Sequence, residues 1–185
     1  MTDDMMRSML LPAALLLFGL SASQAEPGPI PSEDIKVDVR KVDGEIVVDV
    51  EFHVAAPPQE AWEVLTDFGN MSKFISNLKA SSVLSRSDNL VQVSQQGQAS
   101  YGLLTFSFDT VREIQLKPYQ QIDSRLISGS MKKLEGKTLL AADGDGTRIV
   151  YHAVSIPNAW VPPGIGTSFI EHETREQFAE MRREI

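Results

Sequence analysis

Apolar and polar residues alternate in two stretches of the chain. Within residues 35–42, Ile35, Val37 and Val39 alternate with charged residues, and apolar residues again occupy every second position from Ile46 to Val54, with Asp43-Gly44 between the two runs. A period of two predicts strands with one buried face, and Asp-Gly is a favoured two-residue hairpin turn. The pattern therefore predicts a β-hairpin over these residues.

The spacing becomes helical after the double proline. Pro58 suits the first position of a helix, and apolar residues recur at helical spacing as far as Phe68. Asn70 is a candidate N-cap for a second helix whose apolar positions extend to Leu78. Neither segment is long enough to form a stable helix alone, so both are expected to pack against a sheet.

From Lys79 almost to Pro157 the chain has strand character, which turn signals divide into roughly six strands. These signals fall at residues 87–89, 98–102, 117–118, 128–130 and 143–146. An irregular loop rich in proline and glycine follows at residues 158–166, and residues 167–185 have the pattern of a closing helix. The layout predicts a single α+β domain at residues 35–185.

The first residues have the pattern of an export signal. An apolar run at residues 9–20 follows Arg7, and Ser23 and Ala25 supply small residues for cleavage. This run is shorter than the ~20 residues that span a bilayer, which favours a cleaved signal peptide at residues 1–25 over an anchor or a buried helix. Residues 26–34 are then a flexible leader, and the predicted location is periplasmic or secreted.

The amino-acid composition of the chain argues against some classes of function. The chain has 17 Lys and Arg against 25 Asp and Glu, a net charge of −8, and no cysteine. Nucleic-acid binding needs clustered cations, so we expect no nucleic-acid partner. The fold must also be stable without disulfides.

No motif indicates a metal, a cofactor or a catalytic set. The three histidines are His53, His152 and His172, and the last has Glu176 rather than a second histidine one turn later. The Asp-Gly-Asp-Gly segment from residue 143 resembles the start of a calcium loop, but Val154 stands where a bidentate carboxylate is needed. Without cysteine or a Gly-x-Ser-x-Gly motif, we predict no catalytic residue, no metal and no cofactor.

Four segments carry a resemblance to a known family. They are Val54–Leu84 (containing Ala-Pro and Trp62), Ser128–Lys137, Gly146–Tyr151 and Val161-Pro162-Pro163. In order and spacing they resemble the START-like, or SRPBCC, superfamily, and within it the polyketide cyclase/dehydrase and coenzyme Q-binding group. Ser76 departs from the pattern, since many relatives have proline there. The leading strand and the signal peptide point to an exported subgroup.

The resemblance implies a helix-grip fold: a curved antiparallel sheet of about seven to eight strands, with two short helices and a long C-terminal helix around an apolar cavity. Family members include lipid carriers, quinone-binding proteins and aromatase/cyclases, so fold alone does not fix function. Strand phase and the resemblance together give a set of candidate cavity residues, although periodicity does not separate a cavity wall from a filled core. The set is Val50, Phe52, Phe74, Val93, Phe106, Phe108, Arg112, Leu126, Ile149, Tyr151, Phe169 and Phe178.

Arg112 is the most informative member of this set. It shares its strand phase with Phe106 and Ile114, which predicts an inward side chain. A buried guanidinium needs a partner, and a ligand carboxylate, enolate or phosphate would supply one. The alternative is that Arg112 reaches solvent near the strand end or pairs with a structural acid.

Trp160, Val161 and Pro162 are predicted to lie at the mouth of the cavity, where they would form a gate. An exposed tryptophan there would allow transient contact with a membrane surface. The alternative is that Trp160 anchors the last helix.

These observations predict an exported protein that sequesters or carries a hydrophobic small molecule, such as a lipid, an isoprenoid or quinone, or an aromatic compound. An alternative is an aromatase/cyclase-type enzyme in which Arg112 and a tyrosine stabilise an enolate. A second alternative is a protein-interaction module with a filled core.

Overall fold

The computed structural model describes residues 34–101, 104–158 and 166–185. The predicted signal peptide (1–25), the leader as far as residue 33, and the gate residues Trp160, Val161 and Pro162 lie outside the described residues. The elements in chain order are β1 (Lys36–Val42), β2 (Glu45–Val54), α1 (Pro58–Thr66), α2 (Met71–Phe74), β3 (Leu78–Ser87), β4 (Leu90–Tyr101), β5 (Leu104–Lys117), β6 (Gln121–Gly129), β7 (Met131–Asp143), β8 (Gly146–Pro157) and α3 (Gly166–Glu184).

The eight strands form one curved antiparallel sheet in the order β1-β2-β8-β7-β6-β5-β4-β3. Strands β3 to β8 follow one another as hairpins, and β2 pairs with β8, so the first hairpin extends the sheet beyond its last strand. The three helices pack on this sheet, with α3 in contact with β1, α1 and α2. The predicted α+β helix-grip fold is confirmed.

The first hairpin forms as its sequence predicts. Asp43 and Gly44 have φ angles of 50° and 88°, the left-handed conformation that a tight two-residue hairpin turn requires. Beyond the turn, Val48, Val50 and Phe52 all point into the core. The alternation of β2 therefore places its apolar face toward the helices.

The second helix is shorter than its apolar spacing predicts. It ends at Phe74, because Ile75 has extended backbone angles (φ −102°, ψ 109°) and Leu78 pairs with Gly97 of β4. Asn70 does occupy the N-cap position, but its amide donates to Asp67 rather than capping the helix. Strand pairing of Leu78 is more favourable than the extension of a short helix whose stability is marginal.

The long helix α3 is fixed at two places by polar contacts. Near the start of the described chain, the Arg175 guanidinium donates to the backbone carbonyl of Ile35. Near α2, the backbone N–H of Ser76 donates to Glu180 Oε2 at 2.9 Å. Proline at position 76 would lack this donor, so the departure from the family pattern supplies a contact between α3 and the segment that follows α2.

The length and the apolar content of each described helix show whether it could span a membrane. None of them combines the length and apolar character needed to cross a bilayer.

Candidate ligand-binding cavity

A cavity of about 200 Å³ lies between the inner face of the sheet and the three helices. Six strands and all three helices contribute to its wall. The lining residues are Val48, Leu65, Phe68, Met71, Gln95, Arg112, Ile114, Ile122, Ser124, Leu134, Thr138, Tyr151, Ala153, Ser155, Thr174, Gln177, Phe178 and Met181.

The helices and the segment between α1 and α2 supply half of the apolar residues that line the cavity. Leu65, Phe68 and Met71 come from α1, α2 and the segment between them, and Phe178 and Met181 come from α3. All five side chains are buried. The Phe178 ring lies 5.1 Å from that of Tyr151, which joins the helical side of the cavity to the sheet. An apolar ligand body would therefore pack between these helical residues and the apolar residues of the sheet.

The sheet side of the cavity is more polar. Ser124, Thr138 and Ser155 line it on β6, β7 and β8, together with Tyr151. Gly136 lies among them, and a Cβ there would approach Ser124 Oγ to 2.9 Å and the Tyr151 hydroxyl to 3.4 Å. Because Gly136 has no side chain, the Tyr151 ring and Ser124 can lie close to it. The sheet side of the cavity is therefore lined by residues that carry hydroxyl groups.

Arg112 is held in place by a chain of hydrogen bonds. Its Nη2 donates to Gln95 Oε1, and Gln95 Nε2 donates to Ser81 Oγ at 3.0 Å. Gln95 Nε2 also lies 3.3 Å from Met71 Sδ, and Ser81 Oγ donates to the backbone carbonyl of Phe68. The guanidinium is thus positioned by neutral groups that are themselves fixed to the region between α1 and α2.

The charge of Arg112 is not balanced by an acid. No carboxylate of the described residues lies within ion-pair distance of it, and its Nε is buried without a hydrogen-bond partner. Burial lowers the pKa of Arg112, while its interaction with Tyr151 acts in the opposite direction. Because an arginine in a protein remains protonated, the cavity wall carries a positive charge.

Tyr151 complements this cation as a neutral donor. Burial raises the pKa of Tyr151, and the charge of Arg112 opposes that rise only in part. The phenol is therefore protonated at neutral pH. Within the described part of the chain its hydroxyl has no hydrogen-bond partner, so it is available to a ligand oxygen.

A β-bulge lies directly beside Arg112. Val111 pairs with Ser128 across β5 and β6, whereas Arg112 pairs with Leu126, so Ile127 is an extra residue in β6. Bulges bend a strand locally and change the direction of neighbouring side chains. The pairing irregularity therefore coincides with the position at which Arg112 enters the cavity wall.

The structure brings together three of the twelve predicted cavity residues, namely Arg112, Tyr151 and Phe178. The remaining nine do not line this cavity. Val50, Phe52, Val93 and Ile149 are fully buried in the core, while Phe74, Phe106, Phe108, Leu126 and Phe169 are partly buried outside the cavity wall. Alternation correctly places Val50, Phe52, Val93 and Ile149 on the buried side of their strands, but a buried side chain can meet a packed neighbour as readily as a void.

Sequence reasoning missed the polar members of the wall. Gln95 is 6% exposed and shares its strand phase with Val91 and Val93, so a glutamine in an apolar phase was the available signal. Ser124 and Ser155 occupy inward positions in the same way. Apolar periodicity identifies only the apolar residues of a cavity wall, so it does not find these polar ones.

Metal ligands do not converge in the described ranges, since no three His, Cys, Asp or Glu side chains there could hold one ion. His53 Nε2 lies 3.1 Å from the backbone carbonyl of Asp143, and His152 Nδ1 lies 2.7 Å from Asp49 Oδ1. Both are contacts at the exposed surface, away from the cavity.

Comparison with protein families gives one match. A family model described as polyketide cyclase/dehydrase and lipid transport matches residues 54–182, a range that includes every described cavity residue except Val48. No curated protein matches the chain in sequence.

Several solved structures share the fold. A STAR-related lipid transfer protein from Xanthomonas axonopodis is 17% identical, with a TM-score of 0.70 over 82% of this chain and 93% of that one. Human StAR-related lipid transfer protein 5 is 14% identical, with a TM-score of 0.63 over 82% and 86% of the two chains. The aromatase/cyclase ZhuI from a Streptomyces species is 15% identical, with a TM-score of 0.62 over 76% and 93%. At these identities the likeness establishes the fold alone.

Proposed function

The chain belongs to the polyketide cyclase/dehydrase and lipid transport family of the START-like superfamily, and on that premise we propose that it is an exported protein that binds and carries a hydrophobic small molecule. The observation that carries this proposal is the cavity between the sheet and α3, with its apolar helical wall. The signal-like pattern of residues 1–25 supports export.

The physical basis of binding is burial of apolar surface. Removing apolar ligand surface from water contributes roughly 25 cal/mol per Å², and the polar groups of the sheet wall would set the orientation of the ligand. Lipids, isoprenoids or quinones, and aromatic compounds are the candidate classes. A ligand would gain access by local separation of α3 from α2, where the contact between Ser76 and Glu180 has to open.

An aromatase/cyclase activity is the second candidate, and the presence of Arg112 and Tyr151 in the same cavity wall favours it. A cation beside a phenolic donor is suited to stabilising an enolate oxygen. Under this alternative, Arg112→Met would remove turnover of a polyketide-like substrate while its binding persists. The filled-core interaction module is less favoured, because the described core contains a cavity.

Native mass spectrometry tests the carrier function. The mature protein purified from the periplasm of its own host is expected to carry a discrete adduct, which extraction would identify as a lipid, a quinone or an aromatic compound. Ala153→Leu, at a buried position of the cavity wall, should abolish the adduct because the larger side chain fills the space. Ala141→Leu, on the exposed side of β7, is the matched control and should retain it. A clean ligand-free mass under gentle conditions would contradict carriage.

A further inference from the structure

Arg112 carries the only charge among the described side chains that line the cavity. A buried cation without an anionic partner is unfavourable, because its hydration is lost and no opposite charge compensates for it. The Gln95 carbonyl oxygen that accepts from Nη2 is neutral, so it orients the guanidinium without neutralising it. The cavity wall therefore carries an uncompensated positive charge, which an anionic group of a ligand would neutralise.

The hydrogen-bond donors of Arg112 and Tyr151 that have no partner among the described residues are suited to binding an oxyanion. Arg112 Nε is buried and unpartnered, and the guanidinium presents its N–H groups in a planar fork that suits the two oxygens of a carboxylate. The Tyr151 hydroxyl is a further donor that lines the same cavity. Together they form a donor set for one negatively charged oxygen group.

The space beside this donor set limits the size of the ligand. An engineered apolar cavity of about 150 Å³ holds benzene, whereas sites for drug-sized ligands occupy roughly 300–1,000 Å³. The cavity here is about 200 Å³. It accommodates a single ring or a compact chain with a short substituent rather than a long acyl chain or a sterol.

We propose that the cavity takes a compact amphiphile whose oxyanion, a carboxylate, phenolate or enolate, binds Arg112 while its apolar body packs against Leu65, Phe68 and Phe178. This inference rests on the proposed binding function and names the ligand class of the same cavity. Arg112 provides the charge and the fork of donors, and Tyr151 provides an additional hydrogen bond.

Two probes of matched shape test the oxyanion. Titration calorimetry at pH 7 would compare 4-ethylbenzoate with the neutral 4-ethylbenzamide, and the carboxylate is expected to bind at least about tenfold more tightly, the fold-change of one good charge-assisted contact. Arg112→Met should abolish this preference while leaving the affinity for the amide within about threefold. Arg86→Met removes an exposed arginine of β3 and should change neither affinity.

Thermal melting provides a second readout that does not depend on a tight complex. Arg112→Met removes an unpaired buried charge, so the ligand-free variant should melt at the same temperature as the wild type or higher. Addition of 4-ethylbenzoate should raise the melting temperature of the wild type and not that of the variant. A ligand-free variant that melts well below the wild type would assign Arg112 a structural role and overturn the inference.

The remaining outcomes separate this inference from the proposed function. If the wild type binds both probes equally, or if Arg112→Met keeps the preference, the oxyanion site is wrong while the binding cavity stands. If hexadecanoate binds in preference to 4-ethylbenzoate, the size limit is wrong. If folded protein binds none of the probes and carries no native adduct, both the inference and the binding function are wrong.

Discussion

Two regions on the inner face of the sheet differ in packing: side chains fill the space above one region, and a cavity lies above the other. At the filled end, around β2 and the start of β8, Val50, Phe52 and Ile149 are at most 2% exposed, and Phe52 and Ile149 are directly paired. At the hollow end, on β5 to β7, Arg112 and Ser124 face the cavity instead. Both ends belong to one continuous antiparallel sheet with the same alternation of side chains.

The difference between the two ends comes from side-chain volume and polarity rather than from backbone geometry. The filled end uses large apolar residues, and the Phe52 ring packs edge-on against Phe178 at 5.7 Å. The hollow end places Ser124, Gly136 and Thr138 at equivalent inward positions, where they fill less space and present polar atoms. A cavity thus arises where small or polar residues replace packing residues on an otherwise regular sheet.

The largest expected effect is on core stability, and a matched pair of isoleucines measures it. Ile149→Ala at the filled end should lower the free energy of unfolding by about 3–5 kcal/mol, because its side chain is surrounded on all sides. Ile122→Ala at the hollow end should lower it by about 1 kcal/mol less, since one side of Ile122 already faces the void and loses no contacts there. Chemical denaturation of both variants checks the comparison. Equal losses would mean that the two ends are packed alike.

A pair of glycines provides a smaller test of the same difference. A Cβ at Gly146 would lie 2.1 Å from the Val54 carbonyl oxygen, a backbone atom that cannot move freely. Gly146→Ala should therefore cost about 1–3 kcal/mol of unfolding free energy. At Gly136 the closest atom is Ser124 Oγ at 2.9 Å, which can rotate toward the cavity, so Gly136→Ala should cost less than about 1 kcal/mol.

Thermal or chemical unfolding of the two alanine variants, with Gly69→Ala as the control, distinguishes these expectations. A Cβ at Gly69 meets no atom within 4 Å, so that variant should be close to neutral. A larger cost at Gly136 than at Gly146 would show that the hollow end is the more rigid of the two.

The smallest expected effect concerns a paired surface charge, in contrast to the unpaired Arg112. Burial acts to raise the pKa of Asp49, but hydrogen bonds from His152 and Arg40 outweigh it, so the pKa is lowered from 3.8. A carboxylate with a lowered pKa in the folded state stabilises the protein above pH 3.8, and this stabilisation is lost as the pH falls through the folded-state value.

Asp49→Asn should remove this part of the acid dependence, with a loss at neutral pH of less than about 1 kcal/mol because the group is 39% exposed. Unfolding free energies between pH 2 and pH 7 would measure it. Asp145→Asn, in the exposed turn between β7 and β8, is the control and should leave the profile unchanged. An identical pH profile in wild type and Asp49→Asn would contradict the role given to Asp49.

Local patterns predicted the fold well because its main signals are local. Alternation and Asp43-Gly44 predicted the first hairpin, and the later turn signals separate the remaining strands. The extent of α2 was wrong, because Leu78 gains more from pairing with β4 than from continuing a marginal helix. Sheet pairing across distant residues is not visible in the spacing of a short apolar segment.

The candidate site was less predictable than the fold. The strand phase of Arg112 indicated an inward side chain, and the structure places it in the cavity wall. The phase of Ile149 indicated the same direction, yet Ile149 is enclosed by neighbours and does not line this cavity. Gln95, which fixes Arg112, lies 17 residues away along the chain and becomes its neighbour only through the pairing of β4 with β5.

The sequence by itself determined the family, through the resemblance carried by its motifs. It also determined the order of the elements and the inward side of several strands, because these depend on periods of two and 3.6 residues. The tertiary structure alone decided which inward side chains meet a void, and that Arg112 lines the same cavity as Tyr151 with no carboxylate of the described residues within ion-pair distance. The physical reason is that a cavity is a difference between available and occupied volume. It is set by side chains from six strands and three helices that are distant along the chain.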